Sequence, residues 1–144
     1  VVGGLVETTL GTAAFLPFYV VSGMVAALAH AASHAGSVEP AIGASGAVAG
    51  IMGSCAVLHF RERLRVALVA GIGLAPRISL VSLPAGLVLA LWLLEQVFMA
   101  SFGSSVLDVA FGAHLGGFAF GAVSGAAWRL WWKRRQPARV TRPD

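Results

Sequence analysis

The chain has 144 residues, of which 58% are hydrophobic and 11% are charged, and its mean hydropathy is +0.84. Soluble domains carry about 25% charged residues, so this composition excludes an ordinary soluble enzyme and indicates an integral membrane protein. The formal net charge is +4, but all ten Lys and Arg residues fall in two clusters, 61–77 and 129–142, that flank apolar segments. This distribution follows the positive-inside rule, and we predict no nucleic-acid partner.

The order of apolar and polar segments predicts an all-α, polytopic membrane helix bundle with about four transmembrane helices. A spanning helix needs about 20 mostly apolar residues. Residues 1–11 are expected to form a connecting loop, and residues 64–76 to lie at the interface or fold back as a loop. We expect one membrane domain, 1–132, followed by a basic cytoplasmic tail, 133–144. The four predicted helices are 12–32, 42–60, 80–100 and 106–132.

The two basic clusters also predict the topology. Both clusters should be cytoplasmic, and the two helices between them cross outward and return. The second and fourth predicted helices then begin at the outer face, and the C-terminus is cytoplasmic. Tryptophans beside Lys133 fit an anchor at the inner interface, namely Trp128, Trp131 and Trp132.

Two polar residues lie inside predicted spans, and each has glycine neighbours. Ser45 is flanked by Gly43-Ala44 and Gly46, and His114 precedes the pair Gly116-Gly117. Polar residues at bilayer depth are functional candidates. A serine hydroxyl becomes a nucleophile when a base accepts its proton, and histidine is such a base. Counted from the outer ends of their helices, the two residues lie roughly 5 and 12 Å deep at about 1.5 Å per residue, within the same half of the bilayer.

Small residues predict how the two helices approach each other. Four-residue spacing places small side chains on one helical face, and such faces allow close packing in lipid. Contact between these faces would bring Ser45 towards His114. The faces consist of Gly46, Gly50 and Ser54 in the second predicted helix, and Gly117, Gly121 and Gly125 in the fourth.

Each feature taken alone has a simpler explanation. The glycine-flanked serine fits ordinary small-residue packing, and the histidine fits a core residue with satisfied hydrogen bonds, but their matched depth favours catalysis. Free N–H groups at a helix N-terminus could hold an oxyanion, so Gly43, Ala44 and Gly46 are candidates for backbone support. His30 and His34 share a helical face and could bind a metal. A loop facing water is the simpler environment for both, so we predict no metal and no cofactor.

Together these residues resemble the rhomboid family of intramembrane serine proteases, in the family's order and over roughly residues 4–132. The resemblance implies a Ser–His dyad with Ser45 as nucleophile and His114 as base. It also implies membrane-protein substrates that are cleaved in or near a transmembrane segment, and a bacterial plasma membrane with the active site towards the outer face. The segments that carry it are 18–23 (FYVVSG), 43–53 (GASGAVAGIMG), 83–85 (LPA), 91–96 (LWLLEQ) and 113–118 (AHLGGF), with Gly121.

The chain departs from the family pattern in one respect. The family has a six-helix core, and its second helix carries a His-x-x-x-Asn motif that is not found in these 144 residues. The resemblance therefore implies two further helices upstream, and weak cleavage by residues 1–144 alone. The alternative function is a non-catalytic rhomboid-like protein that binds client transmembrane helices. A small transporter or channel subunit is a third interpretation, which rests only on Glu95 in an apolar helix and on the glycines.

Overall fold

The computed structural model of the protein describes residues 1–33, 35, 43–70, 77–102 and 110–135. Most of these residues are helical, as the sequence predicts. The elements in chain order are α1 (Val2–Leu10), α2 (Thr12–Ser33), α3 (Ser45–Leu58), β1 (Arg63–Ala70), β2 (Arg77–Pro84), α4 (Ala85–Phe102) and α5 (Phe111–Arg135).

The N-terminal segment is a helix, so the loop predicted over residues 1–11 is wrong. Helix α1 is too short to span a bilayer, but Val6 is fully buried and packs into the protein core. Gly11 ends the helix with φ +82°, a conformation that glycine adopts without strain, and its N–H donates to the Glu7 carbonyl. A short helix is stable here because tertiary packing compensates for its length.

A β-hairpin interrupts the helical bundle, so the all-α prediction is wrong over this segment. Strand β1 pairs antiparallel with β2, and Leu64 lies opposite Leu83. Apolar and arginine residues alternate at the start of β1, which is the two-residue period of a strand. The loop expected over 64–76 is therefore strand up to Ala70, and residues 71–76 lie outside the described part.

The predicted third helix also begins too early. Residues 80–84 belong to β2, and α4 begins at Ala85. Pro84 has no backbone N–H and fixes its own φ, so it fits the end of an edge strand. The Ala85 N–H donates to the Glu62 carbonyl at 2.7 Å, which ties the start of α4 to the turn before the hairpin.

The remaining helix ends differ more modestly from the predictions. Helix α3 has 14 residues instead of the predicted span over 42–60, and α5 extends to Arg135, three residues into the predicted tail. Among the described residues, only α2 is both long and apolar enough to cross a membrane. Helix α3 and residues 85–101 are shorter apolar helices. The presence of four transmembrane helices therefore stays a prediction.

Helix α3 is the centre of the bundle and contacts each of the other described helices. Eight of its fourteen residues are buried, so neighbouring helices cover most of its surface. A helix enclosed in this way contacts little lipid. At about 1.5 Å per residue it is roughly 21 Å long, shorter than the hydrocarbon core of about 30 Å.

Glycines of α5 lie directly on the backbone of α3. A Cβ atom added at Gly117 would overlap the Gly46 carbonyl, and one added at Gly121 would overlap the Gly50 carbonyl. One turn further on, Gly125 lies against Ser54, at 3.2 Å from its added Cβ to the Ser54 Cα. The contacts advance together along both helices, so α3 and α5 run parallel.

Helices α2 and α4 run in the opposite direction. Added Cβ atoms at Gly46 and Gly50 of α3 would meet Ala26 and Ser22 of α2, respectively. Residue numbers therefore rise along α3 as they fall along α2, so these two helices are antiparallel. The contacts of α4 with α5 reverse in the same way: Gln96 contacts His114, and Trp92 packs on Phe118 at a ring distance of 6.0 Å. The two parallel helices thus have antiparallel neighbours.

We predict that Gly121→Ala destabilises the protein, because the methyl group forces apart two helix backbones. Overpacking of this kind costs about 1–3 kcal/mol. The matched control is Gly4→Ala in α1, where an added Cβ meets nothing within 4 Å. That change should be neutral or stabilising by up to about 1 kcal/mol, from helix propensity. Thermal unfolding in detergent measures both, and equal midpoints would contradict the close contact.

Candidate active site

Ser45 is the first residue of α3, and its side chain is exposed. The first hydrogen bond of the helix runs from the Val48 N–H to the Ala44 carbonyl at 3.1 Å. The N–H groups of Ser45, Gly46 and Ala47 precede that bond, so they have no acceptor within the helix. The hydroxyl therefore lies next to backbone donors at the positive end of the helix dipole.

Gly43 shapes the turn that leads into Ser45. Its φ is +120°, which side chains other than glycine rarely adopt. A Cβ atom at this position would lie 3.9 Å from the Ser45 Oγ and 4.0 Å from the Ser45 nitrogen. The glycine thus allows the turn and keeps side-chain atoms away from the serine hydroxyl.

His114 lies in the first turn of α5 and is half-buried. Its Nδ1 is hydrogen bonded to Gln96 Oε1 at 2.6 Å. Two aromatic rings border the imidazole: Trp92 at 5.9 Å between centroids, and Phe111 at 6.4 Å in an edge-on arrangement. The ring is therefore held by one hydrogen bond and by two aromatic neighbours.

Gln96 connects His114 to a carboxylate. Its side chain is 5% exposed, and its Nε2 donates a hydrogen bond to Glu95 Oε2. From the sequence, Glu95 and Gln96 were two adjacent polar residues in an apolar helix with no identifiable partner. The structure places both in one hydrogen-bond chain that ends at His114. The two polar residues were visible in the sequence, but their partner, His114, lies on a different helix.

Ser45 and His114 flank one contact between the parallel helices. A Cβ atom at Gly46 would lie 3.4 Å from the Ala113 carbonyl oxygen. Ser45 precedes Gly46 and His114 follows Ala113, so the serine and the histidine lie at the same level along the two helices. Within the described residues, no hydrogen bond joins the Ser45 hydroxyl to the His114 ring. Catalytic hydrogen bonds are often long without substrate, so this geometry is compatible with a dyad.

The other candidate groups do not form a second site in the part of the chain that the structure describes. That part contains no cluster of three His, Cys, Asp or Glu residues able to hold a metal ion. His30 lies near the end of α2, and its proposed partner His34 lies outside the described residues. Asp108, which the sequence places near the outer interface, also lies outside them.

Comparison with protein families decides which class this arrangement belongs to. A family model described as Rhomboid domain matches residues 1–131. The chain belongs to the rhomboid family. Every described element except the last four residues of α5 falls within the match. No curated protein and no solved structure matches the chain at a significant level. Membership of the rhomboid family makes it a membrane protein, of a family whose members are generally serine hydrolases.

We predict that Gly43→Ala destabilises this rhomboid-family protein, because a side chain at φ +120° is strained. Backbone strain of this kind costs roughly 1–3 kcal/mol. Ala44→Gly, at the adjacent position with φ −83°, is the control, and its effect should be smaller. Denaturation in detergent compares the two. A Gly43→Ala protein as stable as wild type would show that the turn does not require glycine.

Proposed function

We propose that the protein is an intramembrane serine endopeptidase, with Ser45 as nucleophile and His114 as general base. One observation carries the proposal: in a rhomboid-family chain, an exposed serine at the N-terminus of α3 and a histidine in the first turn of α5 flank the same close contact between parallel helices. Serine and histidine placed together form the minimal pair for nucleophilic catalysis.

The reaction uses the groups already described. His114 takes the Ser45 proton as Oγ attacks the scissile carbonyl, and the backbone N–H groups at the start of α3 hold the oxyanion. His114 then donates that proton to the leaving amine as the peptide bond breaks. Water then attacks the acyl carbonyl as His114 takes one of its protons, the bond between the acyl carbon and Ser45 Oγ breaks, and His114 returns the proton to Oγ.

The substrates we propose are membrane proteins with a transmembrane segment. Within a helix, the scissile carbonyl is hydrogen bonded to the backbone and shielded by neighbouring side chains. The substrate must therefore present an extended stretch to Ser45, whose exposed position at a helix end leaves room for it. Residues 43, 44 and 46 support the turn and the backbone donors and contribute no reacting side chain.

We also propose that the active site faces the outer side of the membrane and that the basic residues face the cytoplasm. The Arg129 guanidinium of α5 donates to the Val57 carbonyl near the end of α3, at 3.4 Å. This contact places Arg129 beside the C-terminal end of α3, which leads into Arg61 and Arg63 of the first basic cluster and is opposite to Ser45. By the positive-inside rule, this basic end is cytoplasmic.

The alternative is a non-catalytic rhomboid-like protein that binds client helices. The observation in its favour is that no hydrogen bond links Ser45 to His114 within the described residues. A protein that only binds clients needs neither an activated hydroxyl nor a base, so chemical reactivity at Ser45 distinguishes the two functions.

We predict that a fluorophosphonate probe labels the full-length protein in detergent at Ser45. Ser45→Ala should abolish labelling by removing the nucleophile, and His114→Ala should abolish it by removing the base. Ser101→Ala, which changes an exposed serine of α4, is the matched control and should label normally. Labelling that survives Ser45→Ala would refute the nucleophile assignment, and absence of wild-type labelling would favour the non-catalytic alternative.

We predict opposite membrane accessibility for two exposed positions in a Cys55→Ala background. A cysteine at Ser101, near the end of α4, should react with an impermeant thiol reagent added to intact cells. A cysteine at Arg65, in β1 at the basic end, should react only after the membrane is permeabilised. The reverse pattern would place the active site on the cytoplasmic side.

A further inference from the structure

We propose that Gln96 is a positioning residue, which holds the His114 ring in the one tautomer that can accept the serine proton, and that Glu95 fixes the orientation of the Gln96 amide. The inference rests on the proposed function, in which His114 is the base. It adds a third and a fourth group, both on α4, to an active site otherwise formed by α3 and α5.

The hydrogen-bond chain allows only one arrangement of donors and acceptors. Gln96 Nε2 donates to Glu95 Oε2, so the amide NH2 faces the Glu95 carboxyl group. The amide oxygen then faces His114 at 2.6 Å. An amide oxygen can also only accept, so Nδ1 of His114 must carry a proton.

The tautomer follows from this arrangement. A neutral imidazole carries a single ring proton, so a protonated Nδ1 leaves Nε2 with a free lone pair. Nε2 can therefore accept the Ser45 proton. In the other tautomer, Nε2 would carry the proton and the ring could not act as the base through that atom. Fixing the proton on Nδ1 thus keeps the base ready for reaction.

Burial makes the hydrogen bond effective. Gln96 is 5% exposed, so water competes little for its amide oxygen. Trp92 and Phe111 border the imidazole and restrict its rotation. When His114 accepts the serine proton, the ring becomes positively charged, and the amide dipole and the Glu95 carboxylate both stabilise that charge. The same groups therefore set the orientation of the base and favour proton transfer to it.

The test compares two variants of the full-length protein in detergent. Gln96→Leu removes the acceptor and keeps a buried side chain of similar length. The double variant Glu95→Gln/Gln96→Glu exchanges the two side chains: residue 95 now supplies the amide donor, and residue 96 supplies a carboxylate that can accept from both neighbours. Leu94→Ala, at an exposed position of the same helix, is the control for nonspecific effects.

Two measurements are made on each variant. The first is the rate of fluorophosphonate labelling at Ser45. We expect Gln96→Leu to label about 10- to 100-fold more slowly, as for the loss of one hydrogen bond to a group that becomes charged. The exchanged double variant should recover most of that rate, and Leu94→Ala should label normally. The second is the 15N NMR spectrum of His114, assigned by its loss in His114→Ala, which should show a protonated Nδ1 in the wild type.

The outcomes separate this inference from the proposed function. Wild-type labelling at Ser45 together with an unchanged rate in Gln96→Leu would overturn the positioning role and leave the dyad intact. A wild-type spectrum with the proton on Nε2 would overturn it without any variant, so the test does not depend on the stability of Gln96→Leu. Failure of the exchanged variant to recover the rate would also count against it. Absence of wild-type labelling would overturn the proposed function, and the positioning role with it.

Discussion

The backbone contact between α3 and α5 positions the other helices and the candidate site. Gly117 and Gly121 lie against the carbonyl groups of Gly46 and Gly50, so the two helices approach more closely than any side chain would permit. In lipid, apolar side chains gain little by leaving the solvent for a protein neighbour, and close backbone packing takes a larger share of helix association. The same contact sets the register that puts Ser45 and His114 at one level.

Packing along α3 divides the bundle into two ends with different properties. The buried apolar cluster follows α3 from Ala49 to Cys55 and includes Val6, Leu64 and Leu89 from other elements. The β-hairpin and Arg129 lie at the C-terminal end of α3. The N-terminal end carries the exposed Ser45 and the free N–H groups of the first turn. A buried middle and an exposed N-terminus thus belong to the same short helix.

The elements that the sequence failed to predict share a physical cause. Helix α1 and the hairpin are both too short to stand out as spans, and both are stabilised by tertiary packing: Val6 and Leu64 are buried in the common core. The alternation of arginine and apolar residues in β1 was a strand signal, but the expectation of a uniform helical bundle outweighed it. Long helices were predicted well, since an apolar run longer than about 20 residues has few other structures available in a membrane.

The class of the protein, the long helices and two candidate residues could be predicted from sequence alone, because Ser45 beside glycines and His114 near a glycine pair stand out in apolar segments. The sequence also indicated the glycine faces, since four-residue spacing follows from the helical repeat. The register in which α3 packs on α5 and the contact of Gln96 with His114 emerged only from the tertiary structure. Those two residues are 18 positions apart and on different helices. Their contact depends on how α4 turns back against α5, and no local pattern in the chain encodes that distance.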